Sequence, residues 1–260
     1  MSHDILNAGG DTGRRAGRTG EPLAKPKGTD MEIQGRIALV TGANRGLGKA
    51  IAQALLQAGA AKVYAAARDP GKVDLPGVVP VQLDVTDPAS AQALAERCGD
   101  VEIVINNAGI SVHAPALGSE TSDVLRRVLD TNLYGILNVS TAFAPVLGRN
   151  GGGSFVNVLS ALSWLTFKGL TPYSISKAGA WALTNGMRQE LKVQNTQVTA
   201  VHVGYMDTDM ASHVSGEKTS PVDAAAKIVA AIRDAQAELL IDQVSKDVKA
   251  SLGTPAAAYL

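Results

Sequence analysis

The chain has 260 residues, 45% of them hydrophobic, and its 24 basic and 24 acidic side chains give a formal charge of zero. That length suits one large domain with a sizeable core, and the balanced charge disfavours nonspecific attraction to nucleic acid or to an anionic membrane. Cys98 is the single cysteine, the four histidines are scattered, and no apolar run approaches the ~20 residues of a membrane span, which excludes an intrachain disulfide and a cysteine-rich metal site and gives no metal motif.

In chain order, residues 1–30 are rich in Gly, Arg, Thr, Asp and Lys and have no apolar period, so they are expected to form a disordered extension. Arg14-Arg15 is not followed by an apolar region, so no export signal is indicated and a cytoplasmic location is expected. Met31 opens MEIQGRIALV, which reads like a natural start, and residues 31–260 are expected to form one domain. From Arg36 onward, short apolar runs alternate with amphipathic stretches. IALVT is followed by a helix near 46–58, then KVYAAA, VVPVQLDV, a helix near 88–97 and VEIVINNA. A long helix near 121–147 leads to SFVNVLS, a helix near 172–193, QVTAVHV, a helix near 221–235 and AELLID. This alternation predicts an α/β fold, a doubly wound Rossmann-type parallel sheet of about seven strands with helices on both faces. Pro70, Gly71, Pro76 and Gly77 predict a loop between Arg68 and Val78, and Gly151-Gly152-Gly153 predicts a turn before a strand.

Thr41-Gly42-Ala43-Asn44-Arg45-Gly46-Leu47-Gly48 falls where the first strand meets the first helix, a place where a dinucleotide pyrophosphate can meet helix N-terminal amides. Gly42 suits a tight turn, Gly46 a close backbone approach to phosphate, and Gly48 close packing of helix on strand. The second strand ends Ala67-Arg68-Asp69. Ala67 stands where an acid would bind the ribose 2′-hydroxyl of NAD, whereas Arg68, joined by Arg45, suits the 2′-phosphate of NADP. A one-residue change of register would instead turn Asp69 toward the ribose. Tyr173 and Lys177 are four residues apart, so a helix places them on one face, where the ammonium favours the phenolate. Alone, that pair fits a surface helix equally well.

Together, the glycine turn, Asn106-Asn107-Ala108-Gly109, Ser160 at the end of its strand and the Tyr173/Lys177 pair resemble the short-chain dehydrogenase/reductase family in its compact one-domain form, over about residues 35–245. The resemblance implies an NADP(H)-dependent oxidoreductase that interconverts a carbonyl and an alcohol. It implies Tyr173 as general acid and base, with Lys177 lowering its pKa and binding the nicotinamide ribose, Ser160 holding the substrate oxygen, and Asn132 positioning a water beside the lysine. Cofactor contacts are implied for Gly42, Asn44, Arg45, Gly46, Leu47, Gly48 and Arg68. Asp84 is implied at the adenine edge with Val85 beside it, and Asn106, Ala108 and Gly109 near the adenosine ribose. Tyr173 and Lys177 are implied again at the cofactor, as are Gly204, Met206 and Thr208 at the nicotinamide. Val203 replaces the family's usual proline, which is expected to loosen the segment that follows.

Leu162, Trp164, Leu165, Phe167 and Leu170, with Ile110 and Val112, are expected to line an apolar substrate site suited to a small ketone, aldehyde or secondary alcohol. His113 and His213 could approach it, and Met210 is expected to pack beneath a short lid. The helices near 121–147 and 172–193 suggest a homodimer, because the C-terminus lacks the Asp-Gly-Gly ending of many family tetramers. The competing reading is a noncatalytic NADP(H)-binding regulator on the same fold.

Overall fold

A computed structural model describes residues 31–212 and 214–259. The expected extension at 1–30 and His213 lie outside the described residues. The first strand, β1 (Ile37–Thr41), leads into α1 (Gly46–Gln57), β2 (Lys62–Ala67), β3 (Val79–Gln82), α2 (Pro88–Arg97) and β4 (Ile103–Asn106). Then follow α3 (Thr121–Leu129), α4 (Gly135–Arg149), β5 (Gly153–Val158), α5 (Thr171–Glu190), β6 (Thr196–His202), α6 (Pro221–Arg233), β7 (Glu238–Leu240) and α7 (Gln243–Ser251). All neighbouring strands pair in parallel. The seven-stranded order is β3-β2-β1-β4-β5-β6-β7, so the winding reverses between β1 and β4. A reversal of this kind opens a crevice at the carboxyl ends of the strands, and the glycine turn lies there.

Period-two alternation distributes each strand between two cores. Val40, Ile105, Val156 and Val201 pack with Ile51 and Leu55 of α1 and Ile228 and Ile232 of α6. Leu39, Val104 and Phe155 face the other way, onto Leu94 of α2 and Phe143 and Leu147 of α4. The helices start where the chain supplies caps. Asp87 accepts the Ala89 amide ahead of Pro88, and Ser220 accepts the Asp223 amide ahead of Pro221. Cys98 is buried at the end of α2, where desolvation pushes its thiol pKa up.

Three elements differ from the sequence expectation. The long helix near 121–147 runs on to Arg149, but a π-helical turn at Asp130–Tyr134 divides it. This widened turn contains Asn132 and precedes Gly135, where a Cβ would come within 2.9 Å of Val85 Cγ2. The AELLID run pairs only over Glu238–Leu240. Asp242 then accepts the Ser245 amide and starts α7, a helix whose largely polar sequence did not announce it. Between β2 and β3 there is only a 3₁₀ turn, Pro70–Lys72, in place of a helix, as the Pro/Gly spacing predicts.

Candidate active site

At the end of β1, Gly42 and Gly46 have φ of +64° and +54°, which side chains with a Cβ adopt only under strain. Gly48 has ordinary dihedrals but no room: a Cβ there would overlap Gly42 O and lie 2.5 Å from Asn107 Nδ2. Arg45, the N-cap of α1, gives no side-chain cap, and the first turn has no acidic residue. The helix therefore presents free amides to the cleft, the arrangement that receives phosphate.

Thr41 and Asn107 tie this turn to the end of β4. Thr41 Oγ1 accepts the amides of Asn107 at 2.9 Å and Ala108 at 3.0 Å and donates to Ile105 O at 3.2 Å. Asn107 Nδ2 donates to Thr41 O at 2.9 Å and Gly42 O at 3.3 Å. Asn106, expected near the adenosine ribose, is not at the cleft. The pleat turns its side chain to the opposite face, where it is buried and donates to Ser140 Oγ at 3.1 Å and Asn157 Oδ1 at 2.9 Å. Its neighbour Asn107 lines the cleft with Ala108 and Gly109.

At the far end of the cleft, Ala67 is buried within β2, paired with Gln82. Asp69 caps the turn that follows, accepting the Gly71 amide at 3.1 Å and meeting Lys72 at 3.6 Å. Its carboxylate therefore serves its own loop, and the register places Arg68 at the strand end. Arg45 bridges to Asp209 at 3.2 Å instead of turning toward Arg68. Both groups of that pair are largely exposed, so it is a weak contact that an anion can displace. Asp84 accepts the hydroxyl and amide of Thr86 at 2.7 and 2.9 Å, and these bonds, together with Arg68, hold its carboxyl below the usual range.

Tyr173 and Lys177 stand one turn apart on α5, with Lys177 Nζ 5.7 Å from the Tyr173 ring centre. Lys177 is buried and donates to Val158 O at 2.8 Å. Burial pushes its pKa down to about 8. The expectation that Lys177 lowers the Tyr173 pKa is not met: burial pushes the phenol up to about 12, opposed by its hydrogen bond with Ser160. Desolvation penalises the phenolate more than the Ser160 hydrogen bond favours it, and Tyr173 rests as a neutral proton donor.

Ser160 follows β5, and its hydroxyl accepts the Leu162 amide at 3.1 Å and donates to Val203 O at 3.3 Å. Asn132 clamps Ile110, accepting its amide at 2.8 Å and donating to its carbonyl at 2.9 Å, and also donates to Ser176 Oγ at 3.0 Å. Both of its N–H groups are thereby committed, leaving acceptor capacity on Oδ1. A Cβ on Gly109 would lie 3.2 Å from Asn132 Oδ1 and 3.8 Å from Lys177 Nζ, so the two groups flank one point of the cleft.

The cleft has a volume of about 1700 Å³ and joins the glycine turn, Arg68 and Asp84 at one end to Ser160, Tyr173 and Lys177 at the other. Ile110, Leu162, Phe167 and Leu170 line it, as does His113; Trp164, Leu165 and Val112 do not. Trp164 turns away to stack on His202, with ring centres 3.9 Å apart. Met210 is not packed under a lid: it is 48% exposed on the cleft wall, while Met206 is the buried methionine of this segment. Tyr205 and Val244 also line the cleft, and the sequence reading missed both. Val244 could not be found without α7. The loosening expected from Val203 is countered by Asp242, which accepts the Gly204 amide at 2.5 Å. No cluster of three potential metal ligands occurs among the described residues.

The sequence model of the short chain dehydrogenase family matches residues 36–219. The 3-oxoacyl-acyl-carrier-protein reductase FabG of Vibrio harveyi is 31% identical over 197 residues, covering 72% of this chain and 80% of that protein. Carbonyl reductase (NADPH) 2 of Sus scrofa is 33% identical over 193 residues, covering 72% and 78%. A crystal structure of a short chain dehydrogenase from Burkholderia cenocepacia in complex with NADP superposes with a TM-score of 0.83 at 35% identity, covering 86% of this chain and 95% of that one.

Proposed function

The chain belongs to the short-chain dehydrogenase family, and from that premise we propose that it is an NADP(H)-dependent oxidoreductase that reduces an apolar ketone or aldehyde and oxidises the corresponding alcohol in reverse. One observation carries the reading: Tyr173, the buried Lys177 and Ser160 share a cleft with a glycine turn whose helix amides are uncapped. That turn fits a dinucleotide, because only a chain without Cβ atoms at Gly42 and Gly48 leaves Asn107 and Ala108 in place beside it.

The backbone of Gly42 and Asn44–Gly48 would hold the pyrophosphate, and Arg45 and Arg68 the 2′-phosphate. Asp84 and Val85 would meet the adenine, Ala108 and Gly109 the ribose beside it, and Gly204, Met206 and Thr208 the nicotinamide. When bound, NADPH supplies the hydride. Tyr173 Oη gives its proton to the substrate oxygen, which Ser160 Oγ orients by a hydrogen bond. Lys177, still mostly protonated at neutral pH with a pKa of about 8, stabilises the phenolate left behind. Asn132 Oδ1, across Gly109 from the lysine, holds the water through which the proton is replaced. Ile110, Leu162, Phe167 and Leu170 supply an apolar wall that excludes water from the carbonyl.

Exposed Tyr134, Leu137 and Ile175, on or beside α4 and α5, support a homodimer through these helices. Among the described residues no helix is long and apolar enough to cross a membrane. The single buried Cys98 suits a reducing cytoplasm.

The test is NADPH consumption with a panel of apolar ketones and aldehydes and one 3-oxoacyl thioester. Tyr173→Phe keeps the ring and removes the proton donor, so kcat should fall roughly 10²- to 10⁴-fold with NADPH affinity retained. Equal rates in the two proteins would refute the mechanism, and turnover confined to the thioester would replace the substrate class.

A further inference from the structure

Behind Ser160, on the side away from the cleft, lies a buried group that the chemistry above does not use. The β5–β6 pairing ends at Val158 and Val201. Beyond it, Leu159 N donates to Val201 O at 2.7 Å and Ala161 N to Val203 O at 3.0 Å. The Ser160 carbonyl accepts the Ser163 amide at 2.9 Å and turns its second lone pair to a side chain, His202 Nδ1 at 3.1 Å. A carbonyl oxygen can only accept, so Nδ1 carries the proton.

His202 is fully buried, and desolvation pushes its pKa down to about 4, so its ring is neutral at physiological pH and Nε2 is a bare lone pair. That lone pair faces Glu238 Oε1 at 3.5 Å, a contact that is no ion pair while the ring is neutral. The other tautomer would donate to Glu238 and turn a lone pair on the Ser160 carbonyl. What favours the observed one is Lys249 of α7, whose Nζ lies 3.0 Å from the same Glu238 oxygen and offsets its charge. Lys249 also lies 4.7 Å from the centre of Trp164, the ring stacked on His202 at an interplanar angle of 20°. Two more cations face the cluster from α5: Lys177, which disfavours the imidazolium, and Arg188, which senses Glu238 and donates to Ala237 O at 2.8 Å.

We propose that His202 is a positioning residue for Ser160, its Nδ1–H joining the Ser163 amide in fixing the Ser160–Ala161 peptide, and that Glu238 paired with Lys249 of the C-terminal helix selects the tautomer that does so. The proposal rests on the role of Ser160 given above. Fixing that peptide fixes the direction of the Ser160 side chain, because Ser160 Oγ is tied to the amide of Leu162, two residues on. The C-terminal helix thereby braces the carbonyl anchor from outside the cleft.

Two measurements test this. Imidazole nitrogen NMR of the ¹⁵N-labelled protein should show His202 with protonated Nδ1 and bare Nε2, and Lys249→Met should move the signal toward protonated Nε2. Finding Nε2–H in the native protein, or no response to Lys249→Met, overturns the tautomer selection. In kinetics, His202→Phe keeps the stack and loses the donor, so kcat should fall by roughly tenfold with NADPH affinity unchanged. His202→Asn, whose Nδ2 can take the place of Nδ1, should recover most of that loss. If Phe and Asn variants lose activity equally, in step with their melting temperatures, His202 is only packing. A native protein that reduces no carbonyl would end the proposed reaction, while the nitrogen spectra would still decide the tautomer.

Discussion

Replacing Thr41 by Val tests the joint between the two loops that form the cleft. The side chain is 1% exposed, and valine has nearly its shape, so packing is preserved and the hydroxyl alone is lost. That hydroxyl is the acceptor for the amides of Asn107 and Ala108. An amide left without its partner costs about 1–3 kcal/mol, so two of them predict a loss of about 2–6 kcal/mol. This is a large part of the roughly 5–15 kcal/mol that holds a domain folded. Thr41→Ser is the matched control: it keeps the hydroxyl and removes a buried methyl, at about 1 kcal/mol. Urea denaturation of the three proteins at equal slope gives the stabilities, and calorimetric titration with NADPH gives the affinity. Affinity should drop in the Val variant, because Ala108 Cα lies 3.1 Å from where a Cβ of Gly42 would be and the two turns cannot shift separately. If Val costs less than Ser, packing dominates and the hydrogen-bond argument is refuted.

Arg68→Asp should narrow or reverse a preference for NADPH over NADH, since it places a carboxylate where the 2′-phosphate would sit; equal affinities in the native protein would remove the 2′-phosphate argument. His202 should make stability depend on pH. Its pKa is about 4 folded and ~6.5 unfolded, so between these values the unfolded chain binds more protons and stability falls as pH falls. The full loss is about 3 kcal/mol. The difference in urea midpoint between the native protein and His202→Phe, followed from pH 7 to pH 4, isolates this group from the carboxylates; parallel curves would refute it.

Much of the fold was legible because local chemistry and burial agree. The apolar runs IALVT and KVYAAA became β1 and β2 with the expected bounds, and the helix at 88–97 begins at the Asp87-Pro88 signal. Glycine spacing located the cleft, since positive φ at Gly42 and Gly46 and the lack of space at Gly48 are demands that only glycine meets. Spacing also placed Tyr173 and Lys177 on one face of one helix.

What spacing could not supply was direction and environment. In Asn106-Asn107 two identical residues adjoin, and only the pleat at the end of β4 decides that the first is buried behind the sheet and the second ties the glycine turn. Trp164 and Phe167 look alike as apolar wall candidates, but one stacks on a buried histidine and the other faces the cleft. The helix α7 opens at a local cap, Asp242 on Ser245, but Lys249 over Trp164 and Asp242 on the Gly204 amide tie it to the fold, contacts between segments far apart in sequence. The sequence by itself determined which residues are proposed to carry the chemistry and roughly where the chain turns. Only the tertiary structure decided their electrostatic state: desolvation, which raises Tyr173 and lowers Lys177 and His202, depends on what the whole fold packs around each group.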